Sequence, residues 1–189
     1  MERQSAQSSE VRIRAMTRED LPAFLDLIDA LADYEHLPRP DEAARARLAS
    51  DAFTEPPRYE ALVAELWGEG VPAELVVGEA TGAAGPAALA GYAVYFVTYS
   101  TFQAKPSLYL EDLFVRPEHR GRGAGRALFE RCAALAVARG CGRMEWVVLD
   151  WNTPSIEFYE RRGARHLNEW RAYRLDGAAL EAVGAGGRG

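Results

Sequence analysis

The sequence predicts an α/β fold, with one mixed sheet and its helices in a single layered domain. Three observations indicate this. The chain has 189 residues, close to the usual size of one domain. Its composition is 48% hydrophobic and 26% charged, which is typical of a globular protein rather than a disordered one. Segments with strand periodicity and segments with helix periodicity also follow one another along the chain.

The first half of the chain carries signals for strands and two helices. Residues 11–14 alternate apolar and charged side chains, as a half-buried strand does. Thr17 stands three residues before Asp20, an arrangement that resembles a capping box and starts a helix. Asp41 follows two prolines and is suited to cap a second helix. The predicted elements are a strand at 11–14, helices at 17–34 and 41–52, and strands at 59–66, 74–78 and 88–98.

The second half alternates strands and helices more regularly. An apolar run at 108–115 predicts a strand, and the next segment places Leu128, Cys132 and Leu135 at helical spacing. The predicted elements are a strand at 108–115, a helix at 125–139, a strand at 143–149, a helix at 154–162 and a last strand near 170–175.

The ends of the chain and its cysteines exclude several classes of protein. Residues 1–10 are expected to form a disordered leader, residues 11–176 one domain and residues 177–189 a flexible tail. No apolar run reaches the ~18–20 residues of a membrane span, and the leader lacks the apolar core of a secretion signal. Cys132 and Cys141 give neither a disulfide framework nor a zinc pattern. We therefore expect a cytoplasmic protein without a metal or a membrane partner.

The charge balance limits the partners further. A net charge of −6 disfavours nucleic acid and favours a cationic or neutral small substrate. Lys105 is the only lysine, and Pro106 follows it, so the chain has no Walker-A phosphate loop. The three histidines share no spacing that would indicate a metal or a catalytic pair.

The densest chemistry lies at residues 120–126, which read RGRGAGR between a predicted strand and a predicted helix. The glycines let the backbone turn sharply and present N–H groups at a helix N-terminus, where the helix dipole also favours phosphate. The arginines suit bidentate phosphate contacts. The dinucleotide fingerprint is not matched, because its third glycine is missing. We interpret the segment as an anion-binding loop, the plainer alternative being a glycine-rich turn with solvated arginines. Its residues are Arg120, Gly121, Arg122, Gly123, Ala124, Gly125 and Arg126.

Glu111 and Asp112 interrupt the apolar strand at 108–115. Adjacent strand residues point to opposite faces, so at least one carboxylate enters a layer that is otherwise apolar. An unpaired buried carboxylate is costly, so we expect it to have a partner or a chemical task. The alternative is a pair at a bulge, satisfied by backbone N–H groups.

Two motifs resemble those of the GCN5-related N-acetyltransferases (GNAT). Residues 120–125 are similar to the R/Q-x-x-G-x-G/A acetyl-CoA loop, and residues 150–164 resemble the family's Asn-helix-Phe-Tyr-x-x-x-Gly-Ala signature. The resemblance covers about residues 11–175 and departs mainly in an insertion at 67–86. The segments similar to the diamine (spermidine/spermine) and thialysine N-acetyltransferase branch are ADYE at 32–35, YAVYF at 92–96, YSTF at 99–102 and YLEDLFV at 109–115.

This resemblance implies a mostly antiparallel mixed sheet flanked by helices. A central parallel pair of strands, 108–115 and 143–149, would splay apart to hold acetyl-CoA. The pantetheine arm would pair with the strand backbone, and the pyrophosphate would lie on the N–H groups of the loop. The cofactor-binding residues implied are Leu113, Phe114, Val115, the loop residues 120–126, Asn152 and Ser155.

The resemblance also implies the catalytic residues. Tyr159 would be the general acid that protonates the departing CoA thiolate, and Glu111 the base, direct or through water, that deprotonates the acceptor. Tyr159 follows Asn152 by seven residues, two helical turns, so both can face one cleft. The alternative for Tyr159 is packing in the core. Tyr34, Glu35 and Ser100, together with Glu111, would bind the acceptor.

These features predict an acetyl-CoA-dependent N-acetyltransferase that acetylates a primary amine of a small molecule by direct attack. Ser100 stands where polyamine-specific members carry an acidic residue, which favours thialysine or a lysine-like amine over a polyamine. By resemblance we expect a homodimer, for which Trp170 and Tyr173 could supply the contact. The alternatives are an acetyltransferase of protein N-termini or aminoglycosides, and a non-catalytic acyl-CoA-binding regulatory protein.

Overall fold

The computed structural model describes residues 10–67 and 88–186. The chain divides into two compact units, residues 1–147 and residues 148–189. The predicted leader up to residue 9, the predicted strand at 74–78 and most of the insertion lie outside the described residues. No helix of the described segments is long and apolar enough to cross a membrane.

The first unit contains a five-stranded mixed sheet with helices, which confirms the α/β prediction. Its strands lie in the order β1-β2-β3-β4-β5, with every neighbouring pair antiparallel except the parallel pair β4–β5. The elements of this unit are β1 (Glu10–Ala15), α1 (Leu21–Tyr34), α2 (Glu42–Asp51), β2 (Glu60–Trp67), β3 (Ala88–Ser100), β4 (Lys105–Val115), α3 (Ala124–Ala138) and β5 (Arg143–Glu145).

The start of α1 is held by the carboxylate that the sequence identifies. Asp20 accepts a hydrogen bond from the Thr17 N–H at 2.8 Å. The same carboxylate receives both terminal nitrogens of Arg14, at 2.5 and 2.7 Å, while Arg14 Nε donates to Glu65 at 2.6 Å. Buried charges need such partners, and this network ties β1, β2 and the start of α1 together. Asp41 likewise caps α2 by accepting from the Ala44 N–H at 2.7 Å.

The core of the first unit lies between α1 and one face of the sheet. Phe24 and Leu27 of α1 are fully buried against Val63 of β2, Tyr92 of β3 and Phe114 of β4. The rings of Phe24 and Tyr92 meet edge to face with centroids 5.2 Å apart, a favoured aromatic geometry. This packing fixes the face of β3 and β4 on which the end of α1 lies.

The pairing of β3 with β4 contains a bulge at Glu111. Val94 lies opposite Asp112, whereas the next residue, Tyr95, lies opposite Leu110, so Glu111 has no partner on β3. The bulge was part of the alternative stated for this pair; the hydrogen bond to Asp112 comes from the Tyr92 hydroxyl. Nearer the loop the two strands approach closely, because a Cβ at Gly91 would lie 2.3 Å from the Phe114 carbonyl oxygen.

The parallel pair β4–β5 is shorter than predicted. The ladder contains only three residue pairs and ends at Tyr109 opposite Glu145, so the predicted strand to residue 149 is wrong beyond Glu145. The bulge at Glu111 explains why the ladder ends here, because it lies two residues after Tyr109. The extra residue at a bulge bends and twists its strand. Among the described residues, no strand pairs with this edge of β4 from Leu110 onward.

The second unit contains two short helices, α4 (Thr153–Glu160) and α5 (Gly177–Gly184). The predicted strand near 170–175 is wrong, because these residues have no regular structure and every residue of 166–186 is exposed. A strand needs a neighbour for its backbone groups, and the described part of this unit contains none. Helix α5 lies in the segment expected to be a tail, and the flexibility of that segment stays a prediction.

Candidate active site

The loop between β4 and α3 adopts a conformation that its glycines permit. Gly121 and Gly123 have φ of +78° and +89°, a region that other residues rarely adopt. A Cβ at either position would contact nothing within 4 Å, so backbone conformation and not crowding calls for glycine there. Gly123 is the N-cap of α3, and this turn aims the chain into the helix.

The N-terminus of α3 has the properties of an anion site. Gly123 provides no side-chain cap, and the first intrahelical bond is donated by Ala127 to the Gly123 carbonyl at 2.9 Å. The N–H groups of the first helical turn therefore have no partner within the helix, and the dipole adds positive potential. A bound phosphate is the group that such a helix end favours.

The three arginines of the loop have different surroundings. Arg122 is exposed in the middle of the loop. Arg126 forms an exposed ion pair with Glu130 at 3.2 Å. Arg120 donates through Nε to the Val115 carbonyl at 3.0 Å, and its guanidinium lies 4.7 Å from the centre of the Tyr34 ring. The loop thus presents Arg122 to solvent but engages the side chain of Arg120 on the protein itself.

The bulge separates the two neighbouring carboxylates of β4. Glu111 is exposed, whereas Asp112 is largely buried and accepts a hydrogen bond from the Tyr92 hydroxyl at 3.3 Å. Burial, together with smaller contributions from the charges of Glu111 and Glu35, raises the pKa of Asp112 to about 6. The expected buried carboxylate is therefore Asp112, and its partner is Tyr92.

Glu35 joins these carboxylates from the end of α1. It is half-buried, and burial raises its pKa. Its charge contributes to the raised pKa values of both Asp112 and Tyr92, so it lies within electrostatic range of the bulge. The preceding residue, Tyr34, lies against Phe114 of β4 with ring centroids 6.4 Å apart. The structure therefore brings together Tyr34, Glu35 and Glu111, three of the four predicted acceptor-binding residues.

Ser100, the fourth predicted acceptor residue, lies elsewhere. It ends β3, is buried, and accepts a hydrogen bond from the Gln103 N–H at 3.3 Å. It lies six positions along β3 from Val94, the partner of Asp112, which corresponds to about 20 Å. Its observed task is to close the β3–β4 turn.

The second unit holds the other predicted site residues on α4. Asn152 is its N-cap, and its side-chain oxygen accepts from the Ser155 N–H at 3.4 Å. Tyr159 is buried two helical turns later, and burial raises its pKa to about 12. Burial disfavours the phenolate, so this hydroxyl keeps its proton through neutral pH. A phenol in that state can act as a proton donor.

The chain is similar in sequence to known proteins. A family model described as the acetyltransferase (GNAT) family matches residues 27–164. The chain belongs to this family. It is 35% identical to the thialysine N-epsilon-acetyltransferase of Sus scrofa, over 92% of this chain and 96% of that protein. It is 45% identical to an L-ornithine N5-acetyltransferase of Arabidopsis thaliana, over 50% of this chain and 42% of that one.

A solved structure of the same fold is an aminoglycoside N-acetyltransferase in complex with CoA. Its TM-score is 0.66 with 21% sequence identity, and the match covers 90% of this chain and 98% of that one. The family and the named relatives identify the chain as an N-acetyltransferase, so the enzymatic prediction is confirmed over the alternative of a non-catalytic binding protein. The described segments of this acetyltransferase contain no group of three or more His, Cys, Asp or Glu that could hold a metal ion.

Two contacts of the site could not be found from the sequence. The hydrogen bond from Tyr92 to Asp112 depends on the register of β3 and β4, which no local pattern shows. The contact of Arg120 with Tyr34 joins residues 86 positions apart, and the glycine motif around Arg120 favours a phosphate role instead.

The raised pKa of Asp112 predicts how stability depends on pH. A carboxyl whose pKa is higher in the folded chain than in the unfolded chain lowers the stability of the fold when it is ionised. For Asp112 this cost is absent below pH 3.8, its ordinary pKa, and complete above about pH 6. Asp112→Asn removes the charge and still accepts from Tyr92. It should raise the free energy of unfolding at pH 7 by about 1–3 kcal/mol.

Urea unfolding at pH 7 and below pH 4 measures this difference. The gain should vanish at the lower pH, because wild-type Asp112 is then neutral as well. Glu111→Gln, which removes the exposed neighbouring carboxylate, is the matched control and should show no comparable gain. An equal gain for Asp112→Asn at both pH values would show that Asp112 is not the buried acid described above.

Proposed function

We propose that this acetyltransferase moves the acetyl group of acetyl-CoA to a primary amine of a small molecule, with a thialysine- or lysine-like amine as the acceptor. The observation that carries the proposal is the gathering of Glu35, Glu111 and Asp112 beside the end of α1. Three carboxylates in one region favour a cationic acceptor. An ammonium group is the cation that an N-acetyltransferase must deprotonate.

The loop at 120–126 supports the use of acetyl-CoA. The uncapped N-terminus of α3, the exposed Arg122 and the glycine conformations fit the phosphates of a nucleotide cofactor. The edge of β4 from Leu110 onward fits an extended arm with amide groups, because no strand of the described residues occupies it. We assign Leu113, Phe114 and Val115 to that arm. Asn152 and Ser155 complete the proposed cofactor residues.

The proposed mechanism is a direct transfer without an acetylated enzyme residue. Acetyl-CoA supplies the thioester that the amine nitrogen attacks. Glu111, exposed at the bulge, takes the proton of the acceptor ammonium, directly or through water. The largely buried carboxylate of Asp112, next to Glu111 in the chain, adds negative charge beside the acceptor ammonium. Tyr159, which burial keeps protonated, gives its proton to the sulfur that departs.

The charge of Glu35 and two named relatives support an amino-acid amine as the acceptor. Glu35 is the proposed anchor for a second charged group, because it is half-buried and close to the other carboxylates. The relatives named for thialysine and ornithine point to amines carried on an amino acid. Ser100 closes a turn and supplies no charge for the far end of a polyamine.

The proposal includes a homodimer. Residues 166–186 expose several large apolar side chains, including Trp170, Tyr173 and Leu175. Large apolar side chains exposed together mark an interaction surface. A second copy of the chain would cover them. Light scattering that gave a monomer mass at micromolar concentration would contradict this part of the proposal.

The function and its acceptor are tested by the products. The full chain is incubated with acetyl-CoA and equal concentrations of thialysine, lysine, ornithine, spermidine and spermine, and the products are identified by mass spectrometry. Acetylated thialysine or another amino-acid amine should dominate. Efficient acetylation of spermine would contradict the proposed acceptor. If neither this panel nor a second panel of aminoglycosides gave any acetylated amine, the proposed function would be contradicted.

Glu35→Gln tests the proposed anchor. Loss of one charge pair at a half-buried site should raise the KM of the amine by roughly fivefold, about 1 kcal/mol, while the KM of acetyl-CoA stays unchanged. Asp33→Asn is the matched control, since this exposed carboxylate at the same helix end pairs with Arg39 instead. Equal amine KM values for both variants would remove Glu35 from the acceptor site.

Tyr159→Phe tests the proposed acid. The variant keeps the ring and its packing but has no proton to give. Loss of a general acid typically lowers the rate by ~10²–10⁴, so kcat should fall by that factor while the affinity for CoA changes little. Tyr99→Phe, at an exposed tyrosine of β3, is the control. Turnover near the wild-type rate would show that another group protonates the thiolate.

A further inference from the structure

Arg120 makes three contacts that engage its side chain on neighbouring residues of the protein. Its Nε donates to the Val115 carbonyl at 3.0 Å. Its guanidinium carbon lies 4.7 Å from the centre of the Tyr34 ring and 6.0 Å from that of Phe114. Both distances fall within the range of a cation–π contact. The side chain therefore lies between the end of α1 and β4, although its backbone belongs to the glycine loop.

The aromatic rings that Arg120 contacts continue toward the carboxylates. Tyr34 directly precedes Glu35, and its ring lies 6.4 Å from that of Phe114. Phe114 lies in turn 6.3 Å from Tyr92, whose hydroxyl donates to Asp112. The loop is thus joined to the proposed acceptor residues by an unbroken series of side-chain contacts, which we call the aromatic bridge: Arg120, Tyr34, Phe114, Tyr92 and Asp112.

The other loop arginines have no such contacts among those that the structure describes. Arg122 is exposed, and Arg126 pairs with Glu130 on the surface of α3. Arg120 would have to give up one hydrogen bond and two ring contacts to reach a phosphate, whereas Arg122 would give up none of these. The arginines of the motif therefore differ in what each can do.

We propose that Arg120 is a positioning residue for the amine acceptor rather than a phosphate ligand. It holds Tyr34, and with it Glu35, against β4, so that the half-buried carboxylate stays beside Asp112 and Glu111. This inference rests on the proposed function, because it assigns the acceptor to that region. It also assigns different roles to Arg120 and Arg122, although the glycine motif alone suggests a phosphate contact for both.

The experiment compares Arg120→Met with Arg122→Met in the full chain. Both variants lose one positive charge of the same loop and keep a long apolar side chain, so they share any general electrostatic effect. CoA affinity is measured by calorimetry, and KM and kcat are measured with thialysine as the acceptor. Arg120→Met should raise the KM of thialysine about threefold or more and change the Kd of CoA by less than twofold. Arg122→Met should show the reverse, with about a tenfold higher Kd of CoA.

Two further variants separate positioning from loss of folding. Tyr34→Leu, which removes the ring, should reproduce the higher KM of Arg120→Met, and Tyr34→Phe, which keeps the ring, should have a lower KM than Tyr34→Leu. The double variant Arg120→Met/Tyr34→Leu should be no worse than either single variant, because both remove the same contact.

Three results would overturn the proposal. The first is a Kd of CoA that rises as much in Arg120→Met as in Arg122→Met, the second is a wild-type KM of thialysine in Arg120→Met, and the third is additive effects in the double variant. Failure of the proposed function is distinguishable, since wild-type protein would then acetylate no amine. Because calorimetry needs no turnover, the CoA affinities of Arg120→Met and Arg122→Met would still show whether Arg120 is a phosphate ligand.

Discussion

The bulge at Glu111 is the constraint on which the site in the first unit depends. One extra residue in β4 leaves Glu111 exposed and places Asp112 against Tyr92 in the face that α1 covers. It also lies two residues after the point where β4 loses its parallel neighbour, since the ladder to β5 stops at Tyr109. A regular strand would present these two carboxylates on opposite faces without either consequence.

The end of α1 and the glycine loop take their positions from the same strand. Phe114 carries the contact with Tyr34, and Val115 accepts the hydrogen bond of Arg120 before the chain turns into α3. Seven residues of β4, from Tyr109 to Val115, therefore hold a carboxylate pair, an open backbone edge and the start of an anion site. In the proposed function, this short segment would serve two substrates of opposite charge.

Local signals allowed much of this to be predicted from the sequence. The start of α1 needs only Thr17 and Asp20, and the turn into α3 needs only its glycines, so both local structures were predicted correctly. The anion-binding role of the loop stays a prediction. The strand to residue 149 and the strand near 170–175 were wrong because a strand exists only with its neighbour. The partner of Asp112 depended on register, which is likewise a long-range property.

The central claim is that the bulge divides the work of the two carboxylates, with proton removal at Glu111 and the buried charge at Asp112. The kcat/KM for thialysine, measured at neutral pH for Glu111→Gln and Asp112→Asn, tests it most directly. The account predicts a loss of ~10²–10⁴ for Glu111→Gln and of less than about tenfold for Asp112→Asn. A loss of ~10² or more in Asp112→Asn, beside near-normal turnover in Glu111→Gln, would contradict it and make Asp112 the base.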